Sequence, residues 1–392
     1  QVQDDSSLNL PRSGLENMKI TEIKTFLMHG GNRNWVFCKV ETDEGVHGWG
    51  EGTLERHEEA VAAGIKILAS RLVGRDPTEI EKNWQIMYRH GFWRGGVVMG
   101  SAMAAIDIAL WDLTGKVYDL PVYKMLGGAV RDRVRAYTHA SDLRGGRDAV
   151  DQGFSAFKTG GWVVGRNSFF EADVVDALHE KIKGMREELG SEVDIMIDNH
   201  GRARPSLANR QIDAIEEFNL LFFEEPVPPD NLDAMDQVRN ANHRTDIATG
   251  ERLFFRYGFR DILQRRLVDV IQPDIAHTGG ISEIKRIASM AEIEYIQFAP
   301  HNPNGPIATA ASVHVCATVP NFLILETARD MPWHDKVQTT PLEIKDGFFE
   351  LPTAPGLGTD LDESVFAERP FDPQQDRYIG SWNAEDNSPA DV

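Results

Sequence analysis

Residues 193–202 read V-D-I-M-I-D-N-H-G-R. A short apolar run bounded by polar residues predicts a buried strand, and in an extended segment Asp198 and His200 project to the same side. Alone, a D-x-H after a strand is a polar turn. The reading changes because the design recurs. From about residue 134, short apolar or β-branched runs each end in a small or polar residue and lead into a helix-like stretch: VRAYTHA, SAFKTG, DIMIDNH, LLFFEEP, DIATGE, VDVIQPD, YIQFAPH and FLILE. Marker residues at their ends are Lys158, Asp198, Glu224, Glu251, Asp274, His301 and Glu326, and the last six stand 26, 27, 23, 27 and 25 residues apart. Eight strands with a strand-plus-helix period of this size predict an α/β fold with a parallel barrel. No convincing eighth helix follows Glu326. TTPLEIKDGFFELPTAPGLG has instead the pattern of a hairpin with a Pro/Gly-rich tail, so the expectation is a modified TIM barrel, (β/α)7β.

Upstream the texture differs. KITEIKTFLM and NWVFCKVETDEGVHGWGE predict three strands with D-E-G as a turn. HEEAVAAGIKILASRLVG, DPTEIEKNWQIMYRH and VMGSAMAAIDIALWDLTGKVY carry helical apolar spacing. The expected organisation is a disordered or added segment over 1–17, ahead of Met18, and an α+β capping domain over 18–130. The barrel follows over 131–340, and a C-terminal segment, 341–392, returns to complete the cap.

Composition narrows the partners. The 392 residues include 61 acidic and 41 basic side chains, a net charge of −20, which argues against nucleic acid or an anionic membrane surface. Only 13 of the basic residues are Lys against 28 Arg, a balance that suggests a protein working in high salt, where self-repulsion is screened. No run approaches the roughly 18–20 continuous apolar residues of a membrane span, and QVQDDSSLNL lacks the layout of a signal peptide. Cys38 and Cys316 lie in apolar surroundings and are expected as buried thiols, in keeping with a cytoplasmic location.

Side chains at the C-terminal ends of barrel strands converge on one mouth. Asp198, Glu224 and Glu251 on three successive strands would place three carboxylates there, and their repulsion calls for a cation. An all-oxygen set favours a hard divalent ion, Mg²⁺, one per site. Glu224 and Glu225 compete for the middle position, and spacing alone leaves that open. Asp274 and His301 end the next two strands, where a carboxylate can orient an imidazole and raise its basicity as a general base requires; His277 is the rival histidine. His200, beside Asp198, is placed to act as an acid. Asp107 and Asp112 are expected in surface or packing roles on their helix, and Cys316 in the core.

The chain resembles the enolase superfamily, mandelate racemase subgroup, and within it the D-galactonate dehydratase-like acid-sugar dehydratases. The resemblance runs over nearly all of 18–390 and rests on ETDEGVHGWGE, GFWRGG, AIDIALWDLTGK, LGGAVRDRVRAY, IDNHGR, FFEEPV, ATGERLF, IQPDIAHTGGISE, APHNPNGPIA and PGLG. It implies Mg²⁺ on Asp198, Glu224 and Glu251, with the first Glu of E-E-P favoured. It implies that His301, paired with Asp274, abstracts the proton next to the substrate carboxylate. His200 would protonate the departing 3-hydroxyl, and Glu326 would hydrogen-bond the carboxylate as it becomes an enediolate. The product would be a 2-keto-3-deoxy sugar acid, with D-galactonate the first candidate substrate, in a homo-oligomer. Lys158, Trp162, Arg202, Arg329, His90 and Arg94 are the candidate substrate-binding residues. Racemising relatives carry K-x-K on the second barrel strand. Here it reads F-K-T-G-G, with Gly160 at the second lysine's position, which favours elimination over racemisation. An epimerase or cycloisomerase of the same superfamily is the second reading, and a non-catalytic sugar-acid binder the third.

Overall fold

The computed structural model describes residues 18–163, 170–328 and 331–374. The chain opens with an antiparallel sheet, β1 (Ile20–His29), β2 (Asn34–Thr42) and β3 (His47–Glu51). Three helices follow, α1 (Glu58–Leu72), α2 (Ile80–Arg89) and α3 (Val97–Tyr118), then the short α4 (Val122–Met125). Strand β3 and the residue after it place glycine at 48, 50 and 52. A Cβ at these positions would come within 2.1 Å of Ala109 O, 1.8 Å of Ala105 O and 2.4 Å of Ser101 O. Alternate residues on one face of the strand therefore lie directly on a ridge of α3 spaced by four. The opposite face is left to Trp49 and Glu51. Helix α3 is long and apolar enough to cross a membrane by composition, but it is mostly buried in this protein and carries Asp107 and Asp112. It is a core helix.

The barrel comprises eight parallel strands: β4 (Arg133–His139), β5 (Ala156–Gly160), β6 (Asp194–Asp198), β7 (Phe222–Glu224), β8 (Ile247–Thr249), β9 (Val270–Ile271), β10 (Gln297–Phe298) and β11 (Leu325–Glu326). Each pairs with the next from β4 to β10. The ring closes where Phe298 bridges Phe322 and where β11 pairs with β4. Seven helices connect the strands: α5 (Leu143–Asp151), α6 (Glu171–Leu189), α7 (Pro205–Ile215), α8 (Leu232–Arg239), α9 (Phe255–Gln264), α10 (Ile281–Glu292) and α11 (Pro306–Thr318). Among the described residues the four-residue α12 (Trp333–Lys336) stands after β11 where an eighth barrel helix would be, so the architecture is (β/α)7β. One residue in or next to each strand packs into a shared interior cluster: Tyr137, Ala156, Met196, Phe222, Ala248, Val270, Ala299 and Ile324.

After the barrel, β12 (Ile344–Lys345) and β13 (Phe348–Glu350) form the expected hairpin, which pairs antiparallel with β4 rather than with the first sheet. The return to the cap comes later, through α13 (Ser364–Glu368). There Phe366 packs on Phe26, Phe37 and Trp49, and Pro370 bridges Met28. Asp107 and Asp112 are not on the surface. Asp112 accepts from Trp49 N and Leu357 N, both at 2.8 Å, and Asp107 accepts from Ser282 N at 2.9 Å at the start of α10. Both carboxylates tie α3 to other elements. The two cysteines are buried free thiols.

Candidate active site

Strand parity explains which side chains reach the mouth. Two residues beyond each interior residue the chain again faces inward. That count gives His139, Lys158, Asp198, Glu224, Gly250, Gln272, His301 and Glu326 in turn around the ring. It also separates the two adjacent glutamates. Glu224 is fully buried and is the register partner of Asp198. Glu225 follows with φ +41° and lines the cavity, its carboxylate taking Arg252 in two bonds, of 2.9 and 2.6 Å. Just past β8 the inward position is Gly250, and the acid follows one residue later as Glu251.

His139, Lys158, Asp198, His200, Glu251, His301 and Glu326 line one cavity of ≈ 840 Å³, together with Trp162, Arg202, and Arg33 and Leu54 from the capping domain. Lys158 lies at its floor. Its Nζ is 3.0 Å from Glu224 Oε1, 3.1 Å from Glu326 Oε1 and 3.3 Å from Asp198 Oδ2. Burial works against its charge, but the carboxylates outweigh burial and hold the ammonium well above its ordinary range. The same contact separates the acids. Burial and the charge of Asp198 push Glu224 well up. Asp198 and Glu326 are buried too, but cations beside them, Lys158 first, hold both well below the usual carboxylate range.

His301 Nδ1 lies 2.7 Å from Asp274 Oδ2, and Asn304 Nδ2 donates to both oxygens of the same carboxylate at 3.0 and 2.8 Å. Ala276 N adds a bond of 2.7 Å, so Asp274 cannot swing. His277 is farther from it, at 3.6 Å, and is engaged instead by Ser101. Burial disfavours the charged His301 ring. Glu251, 3.1 Å from Nε2, together with Glu326 and Asp274, outweighs it and raises the imidazole to about 10. His200 Nε2 lies 3.0 Å from Asp198 Oδ2, and that carboxylate raises it to about 9. Strands β6 and β10 are four apart in a ring of eight, so the two imidazoles come from opposite walls.

Asp198 and Glu251 line this mouth and Glu224 is buried beside them on the Lys158 ammonium; an all-oxygen set of this kind suits a hard divalent cation. Glu224 Oε2 is buried without a hydrogen bond, though the Lys158 ammonium is 2.9 Å away. Among the described residues, however, no three acidic or imidazole groups are drawn together into a finished coordination shell. Like charges repel, and each acid has taken a nearby cation: Asp198 has His200 and Lys158, and Glu251 has His301.

Two expected substrate contacts lie elsewhere. Arg94 sits over the Tyr88 ring and lines a separate hollow of ≈ 300 Å³ with Tyr257 and Arg252. His90 ends α2 and lines neither. Both follow from the GFWRGG loop, whose Phe92 and Trp93 point into solvent. Arg329 lies outside the described residues. His139 was not anticipated, although THA at the end of the first barrel strand carries the same inward parity. Its Nε2 is 2.5 Å from Glu326 Oε1.

Residues 143–365 match the family model described as "Enolase C-terminal domain-like", and residues 16–127 that for the "Mandelate racemase / muconate lactonizing enzyme, N-terminal domain". The D-galactonate dehydratase of Ralstonia nicotianae is 38% identical over 365 residues, covering 90% of this chain and 94% of that protein. An enolase from Agrobacterium radiobacter, crystallised with Na and L-malate, superposes with a TM-score of 0.89 at 34% identity, covering 95% of this chain and 100% of that one. An enolase from Pantoea ananatis with bound D-gluconate and Mg gives a TM-score of 0.88 at 28% identity, covering 96% and 100%. With both domains matched and the strand-end pattern in place, the chain belongs to the enolase superfamily, in its mandelate racemase/muconate lactonizing enzyme branch.

Proposed function

We propose that this protein is an acid-sugar dehydratase, a hydro-lyase that removes the C2 proton and the 3-hydroxyl of an aldonate to give a 2-keto-3-deoxy sugar acid. D-Galactonate, the substrate named for the Ralstonia relative, is the first candidate, ahead of D-gluconate, D-mannonate and pentonates. The observation that carries the reading is the pairing of His301 with Asp274 at 2.7 Å, across one cavity from His200 paired with Asp198 at 3.0 Å. Elimination needs a base for a weakly acidic proton and an acid for a poor leaving group, and opposite walls suit an anti course.

In this reading His301 Nε2 takes the C2 proton while Asp274 holds Nδ1 and stabilises the imidazolium. His200 delivers a proton to the departing hydroxyl oxygen. Glu326 hydrogen-bonds the substrate carboxylate. Lys158, buried among Asp198, Glu224 and Glu326, supplies fixed positive charge at that end of the site. Asp198, Glu224 and Glu251 are the residues that would hold Mg²⁺, which when bound supplies the charge that offsets the second negative charge developing on the carboxylate. Trp162, Arg202 and Arg33 on the cavity wall would contact the distal hydroxyls.

The test is a panel of aldonates and aldarates incubated with Mg²⁺, with and without EDTA, and scored for 2-keto-3-deoxy product. An EDTA-sensitive product is expected. A silent panel alongside an equally silent His301→Asn variant would reject the dehydratase. Epimerisation at C2 is the second reading, because each imidazole has its own carboxylate. Solvent deuterium at C2 of recovered substrate, without keto acid, would select it. At Gly160 an added Cβ would meet nothing within 4 Å, so the wall that carries a second lysine base in racemising relatives is open here.

A further inference from the structure

We propose that Glu51, a capping-domain residue, is a positioning residue for the His301–Asp274 pair, acting through the loop 301–305. The inference rests on the role of His301 proposed above. Helix α11 begins at Pro306 after Gly305, and no side chain of its own caps it. Its free N–H groups are satisfied from the other domain. Glu51 Oε1 accepts from Gly305 N at 2.7 Å, and Oε2 accepts from Ile307 N at 3.1 Å and Ala308 N at 2.9 Å. Thr53 Oγ1 donates a fourth bond at 2.7 Å. A carboxylate at a helix N-terminus complements both the unpaired donors and the helix dipole.

What makes this more than a domain contact is the neighbouring residues. Asn304, adjacent to Gly305, is the residue that grips both oxygens of Asp274, and Asn302 N donates to Glu326 Oε2 at 2.9 Å. The anchored turn therefore carries His301 at one end and the groups orienting Asp274 and Glu326 in between. Residues Gly48, Gly50 and Gly52 let α3 press on the back of the strand, so Glu51 is itself backed by a rigid surface. The contact is tight from the barrel side as well: a Cβ on Gly305 would stand 2.7 Å from Glu51 Oε1.

The experiment compares Glu51→Gln and Gly305→Ala, which disturb one contact from its two sides, with Asp107→Asn, which disturbs another capping-domain carboxylate at α10. An amide cannot accept at both ends, so Glu51→Gln loses part of the cap. We expect kcat to fall about 10- to 100-fold in the first two variants with KM within about threefold, and kcat of Asp107→Asn to stay within about twofold. A second readout needs no substrate. The low-field imidazole N–H proton of His301, assigned by its loss in His301→Asn, should shift or broaden in Glu51→Gln and Gly305→Ala but not in Asp107→Asn. An unmoved resonance, or activity falling in all three variants in step with melting temperature, would overturn the positioning role. If wild type forms no keto acid on any sugar acid, the dehydratase reading fails, while the resonance still decides the structural claim. If Glu51→Gln does not fold, Gly305→Ala carries the test alone.

Discussion

The two imidazoles of the site stand in unlike surroundings. On the β9–β10 wall, His301 is 16% exposed and its partner Asp274 is wholly buried, fixed by Asn304 and Ala276 N. The capping domain grips this wall through Glu51 at α11 and Asp107 at α10. On the β6 wall, 45% of the His200 side chain is exposed, and its partner Asp198 is shared with Lys158. His200 has φ +49° and Glu225 beside it φ +41°; Arg252 ties the two segments, bonding Glu225 and the His200 carbonyl at 3.2 Å. A base that must meet one C–H bond in one direction gains from rigidity. An acid that serves a hydroxyl can tolerate a looser, wetter place. The difference argues that the walls have different tasks.

The largest effects should come from the rigid wall. His301→Asn and Asp274→Asn are each expected to lower kcat for keto-acid formation by about 10³-fold or more, and to abolish exchange of the C2 proton with solvent deuterium. His200→Asn should lower keto-acid formation by about 10²-fold yet leave C2 exchange measurable, because proton removal does not need the acid. Deuterium exchange monitored by proton NMR separates the steps. If His200→Asn stops exchange as completely as His301→Asn, the walls share the base role and the two-base reading takes over.

Much of this layout was legible in the residues. A strand period near 25, an acid or histidine at the last six strand ends and a hairpin pattern where an eighth helix would stand were enough for (β/α)7β and for reading Asp198, Glu224, Glu251, Asp274, His301 and Glu326 together. What stayed hidden lies between distant segments. His139 carried the parity signal, but it stands just past the LGGAVRDRVRAY motif and belongs to no motif of its own. Glu51 reads as the end of an ordinary strand, and nothing local shows that its carboxylate meets a helix 254 residues later. Which of Glu224 and Glu225 sits in register with Asp198 needed the pairing of β6 with β7, and the displacement of His90 and Arg94 from the cavity needed the path of the GFWRGG loop. Asp107 and Asp112 look like the polar side of a helix until α3 is found covered on every side.

Arg252→Lys sharpens the comparison on the looser wall. A lysine keeps the charge but cannot bond Glu225 at two points and still reach the His200 carbonyl. The strained turn at 199–201 should then relax, lowering kcat for keto-acid formation by about tenfold while C2 exchange is untouched. Equal loss of both activities would show that Arg252 supports the whole site rather than the acid.

The smallest expected effect is on stability, and it tests the grip of the cap on the base wall. Burial raises Glu51 and Asp107 to about 7 each, above the ordinary values for Glu and Asp. The folded state therefore binds these protons more tightly than the unfolded chain. Their contribution is fully present below about pH 4 and is lost as pH rises through about 7. Asp107→Asn cannot titrate, so its melting temperature should fall less than that of wild type between pH 5 and pH 8, by a few degrees. Curves that run parallel over that range would mean that Asp107 stays ionised throughout, its charge met by Ser282 and the start of α10. The cap would then hold the base wall equally well at every pH at which the enzyme works.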